Sequence, residues 1–324
     1  MSTDKRCNCV ITGGAGFIGS HLADNLLEQG HKVTSIDNLS WGKKDFLSHN
    51  LPNPNYTFLD VDLLDKQSLR DKFPAGADVV FHLAANSDIM RGTVEPEIDL
   101  NNTTIATFNL LDSMRSREVK QIFFLSGSGV YGDVGETFTD ETFSPLLPIS
   151  MYGATKLSAE VIISAFVNLY EMQAWILRPA NIIGPRATHG VIYDFINKLT
   201  ANPRTLSVYG DGQQSKSYLY VDDLISAINL VWTQTREPIN IFNVSSDTYI
   251  TVQEIAEIVI DSMSLSDTEI LYTGGARGWK GDVPIVRLDT AKIEALGWRN
   301  QLTSRQAVER TVEAILEAER AQRD

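Results

Sequence analysis

Residues 7–30 read CNCVITGGAGFIGSHLADNLLEQG: an apolar run, a turn carrying Gly13, Gly16 and Gly19, and a segment with apolar residues at helical spacing as far as Gly30. Strand, glycine turn and helix in that order open a dinucleotide-binding βαβ unit. The glycines let the chain turn tightly and bring backbone N–H groups against a pyrophosphate at the positive end of the helix. A second apolar run, Lys32 to Ile36, ends in Asp37, about twenty residues beyond the turn, where a carboxylate accepts the hydroxyls of an adenine ribose. The same charge repels a 2′-phosphate, which favours NAD over NADP, and no arginine directly follows it.

Further along, YTFLDVDLLD at 56–65 reads as a third strand, with Asp62 and Leu63 placed to meet an adenine edge. Residues 77–85 read as a fourth, ending in small residues along which a cofactor can lie; His82 inside it reads as a hydrogen-bonded core residue. Residues 99–116 read as a helix, and 121–126 as a strand delivering a turn over 126–132. Ligands of open α/β sheets bind beyond such strand ends. The expected fold is α/β: a Rossmann-type doubly wound parallel sheet over residues 1–180, then a smaller mixed α/β lobe over 181–324, with elements free to interleave. Without a Pro/Gly/Ser linker, the two are expected to pack together with the ligand in the cleft.

A chain of 324 residues with net charge −13 argues against nucleic acid, whose binding needs clustered Lys and Arg. The start, MSTDKRCNCV, lacks the apolar core of a signal peptide, and no later run approaches membrane-spanning length. The expected compartment is the cytoplasm, with no membrane partner. Cys7 and Cys9 fall on one face of the first strand, but no further Cys or nearby His completes a metal site. They read as buried apolar residues, and no metal is expected.

The chemistry points to SGSGVYGDVGETFTDETFSPLLPISMYGATK at 126–156. Tyr152 and Lys156 stand four apart at the start of a helical pattern, so a phenol and an ammonium share one face. A tyrosine pKa near ~10 must fall by about three units, about 4 kcal/mol, for the phenolate to dominate at neutral pH. An ammonium at about 6 Å supplies roughly 3 kcal/mol at an effective dielectric of ~20. A second cation is required, and oxidised nicotinamide carries one.

The glycine turn, Asp37, Val130-Tyr131-Gly132 and Tyr152-x-x-x-Lys156, in that order, resemble the extended short-chain dehydrogenase/reductase family over nearly the whole chain. NIIGPRATHGVIYDFI at 181–196, GDGQQSKSYLYVDDL at 210–224 and GWKGDVP at 278–284 look like its nucleotide-sugar epimerases, the UDP-glucose 4-epimerases above all. The resemblance implies a redox-neutral 4-epimerisation on held NAD, with Tyr152 as base and Lys156 on the nicotinamide ribose. It implies cofactor contacts at Gly13, Gly16, Phe17, Ile18, Asp37, Asn38, Asp62, Leu63, Leu83, Ala84, Ala85, Asn102, Tyr152, Lys156 and Pro179. For a UDP-sugar it implies Asn181, Lys216 and Asp282 at the diphosphate and ribose, and Val191, Ile192 and Tyr209 around uracil. Arg186 is a candidate cation for a uronate carboxylate, as is Arg91. A homodimer through a helix bundle that includes the Tyr152 helix is also implied.

Departures from the family pattern matter. The usual Ser or Thr four residues before Tyr131 is Gly127, flanked by Ser126 and Ser128; Ser128 is the expected replacement and Ser126 the competitor. Lys216 stands for a usual arginine and Trp279 for a second, with Arg277 two residues away; Thr103 stands where the cofactor helix usually has Asn. Dehydratases of the family carry an Asp-Glu pair, and decarboxylases a Glu, where this chain has Ser128-Gly129. UDP-glucuronate and UDP-N-acetylglucosamine stay open as substrates. A dehydratase or decarboxylase, or a non-catalytic NAD-binding protein, is the weaker alternative.

Overall fold

The structure, a computed structural model, describes residues 6–321. Six strands lead the fold: β1 (Asn8–Thr12), β2 (Lys32–Asp37), β3 (Tyr56–Asp60), β4 (Val79–His82), β5 (Gln121–Leu125) and β6 (Gln173–Pro179). With Ile239–Val244 beyond β6 they form a seven-stranded sheet, in which the order from the far edge is β3, β2, β1, β4, β5, β6. The pairings among β1 to β6 are parallel. Strand order reverses between β1 and β4, which is where a doubly wound sheet opens a crevice at its C-terminal edge.

Parallel central strands are covered on both faces, so they read as unbroken apolar runs rather than alternating ones. Four consecutive residues of β1, Cys9 to Thr12, are buried, as are all four of β4. On one face Val10, Val80, Ile122, Phe124 and Ile176 pack with Leu110, Met114, Ile163 and Phe166 of the helices Ala106–Ser116 and Met151–Tyr170. On the other, Phe81 meets Phe123 and Trp232, at ring separations of 5.6 and 5.3 Å. Cys7 and Cys9 are buried and form no disulfide. The 99–116 segment is not one regular helix: Pro96–Asp99 leads through a π-helical stretch, Leu100–Ile105, into Ala106–Ser116.

The chain divides into two compact units. One takes the chain through Val130, then Ser150–Arg178 and Ile225–Phe242; the other takes Tyr131–Ile149, Pro179–Leu224 and Asn243 onward. In the second unit Asn181–Ile183 pairs parallel with Tyr218–Tyr220, Thr205–Val208 with Glu269–Tyr272, and Ser215–Lys216 antiparallel with Ile250–Thr251. Its helix Val252–Ser262 opens on a capping box between Thr251 and Glu254. Tyr131 donates its hydroxyl to Asn243 Oδ1 at 2.7 Å, which ties the 131–149 excursion to this unit. Among the described residues no helix is long and apolar enough to cross a membrane.

His82 ends β4 with no exposed surface. Thr107 donates its hydroxyl to Thr103 O, so it accepts from His82 Nε2 at 2.9 Å, and Nδ1 is left to accept from Thr12 at 2.7 Å. That arrangement needs a neutral ring, and burial, reinforced by the charge of Lys156, lowers the His82 pKa to about 3. As pH falls from about 6.5 the unfolded chain takes up the proton first, so this stabilisation is whole above that value and is lost downward toward about 3. Between pH 7 and pH 5 the loss from this group should be about 2 kcal/mol. Urea unfolding of the wild type and His82→Asn at both pH values should show that excess loss in the wild type alone, and equal losses would refute the neutral buried ring.

Candidate active site

The C-terminal edge of the sheet collects the cofactor candidates of the first unit. Gly13 follows β1 at φ +71°, and its N–H donates to Ile36 O. A Cβ on Gly19 would lie 2.1 Å from Gly13 O, so only glycine lets the helix start this close to the turn. The helix Phe17–Glu28 begins behind Gly16 with no side-chain cap and no acidic residue in its first turn. Its leading N–H groups, Phe17 and Ile18 among them, present an uncompensated positive end suited to a pyrophosphate.

Asp37 is fixed beside that turn: Ala15 N donates to Oδ2 at 3.0 Å and Leu39 N to Oδ1 at 2.8 Å. Burial raises its pKa, the two backbone donors lower it, and Asp60 raises it further. Asn38 Nδ2 donates to Asp62 Oδ2 at 3.1 Å, so the segments that follow β2 and β3 are joined. Leu63 is buried, and its carbonyl accepts from Asn109. Leu83, Ala84 and Ala85 line the exit of β4 half-buried, with Leu83 N donating to Thr12 O. Pro179, at the end of β6, is buried. Asn102 turns away from the rest: its amide donates to Ile98 O of its own helix. The neighbouring Thr103 is fully buried with no partner for its hydroxyl, as is Asp99 Oδ2. The uncapped helix end, the close glycine approach and the oriented Asp37 together fit a dinucleotide.

Tyr152 and Lys156 lie in the first two turns of Met151–Tyr170, which Ser150 caps by accepting from Gly153 N. Lys156 is 4% exposed; its Nζ donates to Leu125 O at 2.6 Å and lies 5.7 Å from the Tyr152 ring centre. Burial lowers the Lys156 pKa to about 8, against the opposing pull of Glu160 and Asp99. Burial and then Asp99 push Tyr152 up to about 12. The protein's own groups therefore hold the phenol in its acid form, and Lys156 alone does not make it a base.

Residues 126–128 differ in what they face. Ser126, 2% exposed, donates to Glu160 Oε1 at 2.5 Å. A Cβ on Gly127 would stand 3.5 Å from Tyr152 Oη, in ordinary contact, so the position that faces the phenol is the one without a side chain. Ser128 is half-buried, opens the 3₁₀ turn Ser128–Tyr131, and has no hydroxyl partner among the described residues. Glu160 and Asp99, both absent from the sequence reading, are the carboxylates that act on Lys156. Glu160 continues the spacing of 152 and 156, a signal available in the sequence; Asp99 reaches its place only through the fold.

In the second unit, Lys216 Nζ pairs with Asp282 Oδ1 at 2.6 Å and lies 5.6 Å over the Trp279 ring. Gly278 N donates to Asp282 Oδ2, and the Trp279 Nε1 is buried without a partner. Arg277 is committed elsewhere, to the Asp282 carbonyl at 2.7 Å and to Asp133 at 2.5 Å. Asn181 Nδ2 reaches Ser217 O at 3.4 Å. Val191 and Ile192 start the helix Val191–Ala201, Ile192 buried; Tyr209 is half open, with Lys198 Nζ 4.6 Å over its ring. Arg186 follows Gly184-Pro185 in a left-handed conformation, φ 65°.

The UDP-glucose 4-epimerase of Mycolicibacterium smegmatis is 30% identical over 313 residues, 94% of this chain and 97% of that one. A crystal structure of a UDP-galactose 4-epimerase is 39% identical, covers 96% of this chain and 99% of its own, and superposes with a TM-score of 0.86. The dTDP-glucose 4,6-dehydratase of Streptomyces venezuelae, solved with NAD and TYD bound, is 28% identical over 96% of this chain and 97% of its own, TM-score 0.88. Residues 9–245 match the NAD dependent epimerase/dehydratase family, and with the glycine turn, Asp37 and the Tyr152–Lys156 pair in place, the chain belongs to it.

Proposed function

We propose that this chain is an NAD-dependent 4-epimerase of a UDP-hexose, interconverting UDP-glucose and UDP-galactose through a transient 4-keto sugar. The observation that carries the reading is the immediate setting of Tyr152. An ammonium is held one turn away, Gly127 leaves space at the hydroxyl, and no carboxylate stands in the 126–129 turn. Elimination of water or loss of carbon dioxide needs an acid or base beyond the tyrosine, and the turn offers none.

When bound, NAD supplies a hydride acceptor for C4 and, in its oxidised ring, the second positive charge that a phenol at about 12 requires. Tyr152 takes the proton from the sugar 4-oxygen and returns it to the epimeric oxygen. Lys156, below its usual range yet still largely cationic at neutral pH, holds the phenolate charge between those events. Ser128 provides the hydroxyl that steadies the 4-oxygen, since Ser126 is engaged by Glu160. Lys216 meets the diphosphate as a point charge shared with Asp282, without the bidentate fork of an arginine. UDP-glucuronate and UDP-N-acetylglucosamine are the next substrates to assay.

A second copy of the chain is proposed as partner, through the helices Ala106–Ser116 and Met151–Tyr170. Val161 and Leu169 on the latter are 63% and 71% exposed, and Phe108 on the former 41%. Large apolar residues open to this degree along one helix mark a surface that another protein covers.

Three outcomes are expected. The purified chain should release NAD on denaturation and equilibrate UDP-glucose with UDP-galactose, and Tyr152→Phe should slow this by about 10²–10⁴-fold by coupled assay; an unchanged rate excludes the mechanism. Ser128→Ala should cost at least about tenfold in kcat, Ser126→Ala should mainly lower stability by about 1–3 kcal/mol, and Gly127→Ser should fold and raise turnover. A wild-type kcat in Ser128→Ala removes that assignment. Light scattering should find twice the chain mass in the wild type and a single chain in Val161→Glu/Leu169→Glu; a wild-type monomer refutes the dimer.

A further inference from the structure

Glu160 lies one helical turn beyond Lys156 and is 5% exposed. Its Oε2 accepts from Arg178 Nη2 at 2.6 Å, and its Oε1 from Arg178 Nε at 3.0 Å and from Ser126 Oγ at 2.5 Å. Arg178, near the end of β6, is 3% exposed. A buried ion pair is commonly no better for stability than apolar side chains of the same volume, so stability alone does not account for it.

Its placement does. Ser126 directly follows Leu125, whose carbonyl holds the Lys156 ammonium, and Ser126 N donates to Leu177 O next to Arg178. The carboxylate thus reaches Lys156 by two routes: through its field, and through the Leu125–Ser126 peptide that its hydrogen bond from Ser126 steadies. Arg178 occupies both oxygens and fixes the carboxylate's orientation.

We propose that Glu160, locked by Arg178, is a positioning residue that keeps the Lys156 side chain cationic and held at the Leu125 carbonyl beside the Tyr152 phenol. Four titratable groups bear on Lys156 or feel its charge. Tyr152 and Glu160 come from its own helix, Asp99 from the Pro96–Asp99 turn, and His82 from β4. His82 is neutral above about pH 3, so it does not compete in the working range. Glu160 and Asp99 both raise the Lys156 pKa against burial, Glu160 the more strongly. Removing the Glu160 charge therefore moves ammonium loss to lower pH, and with it the loss of charge support for a Tyr152 base.

The test uses the full chain as purified, as wild type, Glu160→Gln and Glu160→Gln/Arg178→Gln. The double variant leaves no lone buried charge and carries the test where the single one fails to fold. Titration of Lys156 by ¹³Cε NMR, its signal assigned through Lys156→Arg, should move down by about one pH unit in Glu160→Gln and by a smaller amount in the double variant, where the opposing Arg178 charge is removed as well. The basic limb of kcat for sugar interconversion should follow it by the same amount, while KM changes less than about threefold. A double variant that folds with wild-type stability and a wild-type Lys156 midpoint would overturn the proposal and leave the pair a structural one. The kinetic arm rests on the proposed reaction; the NMR arm does not, so an inactive wild type counts against the reaction alone.

Discussion

A buried ammonium bonded to a backbone carbonyl at the end of a central strand is the constraint around which the first unit is arranged. Taking Lys156 out of water costs several kcal/mol, and the bond to Leu125 O returns only part of it. A further part comes from carboxylates that are themselves buried, Glu160 on the same helix and Asp99 at the head of the π-helical stretch, and what stays uncompensated leaves the Lys156 pKa at about 8. Each needs its own partners: Glu160 has Arg178 and Ser126, and Asp99 has the Asn86 amide at 2.8 Å. One charge placed for chemistry thus commits residues from β5, β6 and both neighbouring helices.

The sheet makes such a concentration possible. With β1 and β4 adjacent and the order reversing between them, every loop after β1 to β6 leaves from one edge. The glycine turn, Asp37, Asp62, Ala84 and Ser126 come together there although their strands are far apart in sequence. His82 shows the same economy from the core side. Burial keeps it neutral, with two threonines satisfying its ring nitrogens, so the field around Lys156 gains no competing cation.

Local chemistry made much of this readable from sequence. The βαβ opening, Asp37, and the i, i+4 pairing of Tyr152 with Lys156 depend on spacing alone, and the structure places them as spacing dictates. What could not be read depends on partners distant in the chain. Residues 225–242 belong with the first unit because Trp232 packs on Phe81, a contact across 151 positions that leaves no periodic mark. The irregular winding at 100–105 is equally silent, since a π turn keeps the composition of a helix. Between Ser126 and Ser128 the sequence favoured Ser128 only through the freedom of a turn with two glycines, which can aim either hydroxyl. The bond from Ser126 to Glu160 is invisible in the sequence and supports the same choice.

The second unit shows how a departure from a family pattern is accommodated rather than repaired. Arg277, two residues before Trp279, is held by Asp133 and by the Asp282 carbonyl, so its guanidinium is already engaged within the protein. What remains is Lys216, in contact with Asp282, and an indole N–H with no protein partner. On the reading proposed above, a diphosphate has to draw the Lys216 ammonium partly away from a carboxylate that already neutralises it. The net attraction is then smaller than two arginines give, and the point charge imposes less geometry. On that same reading, a diphosphate held by one point charge leaves the sugar freer to turn over between its two faces than a bidentate clamp would.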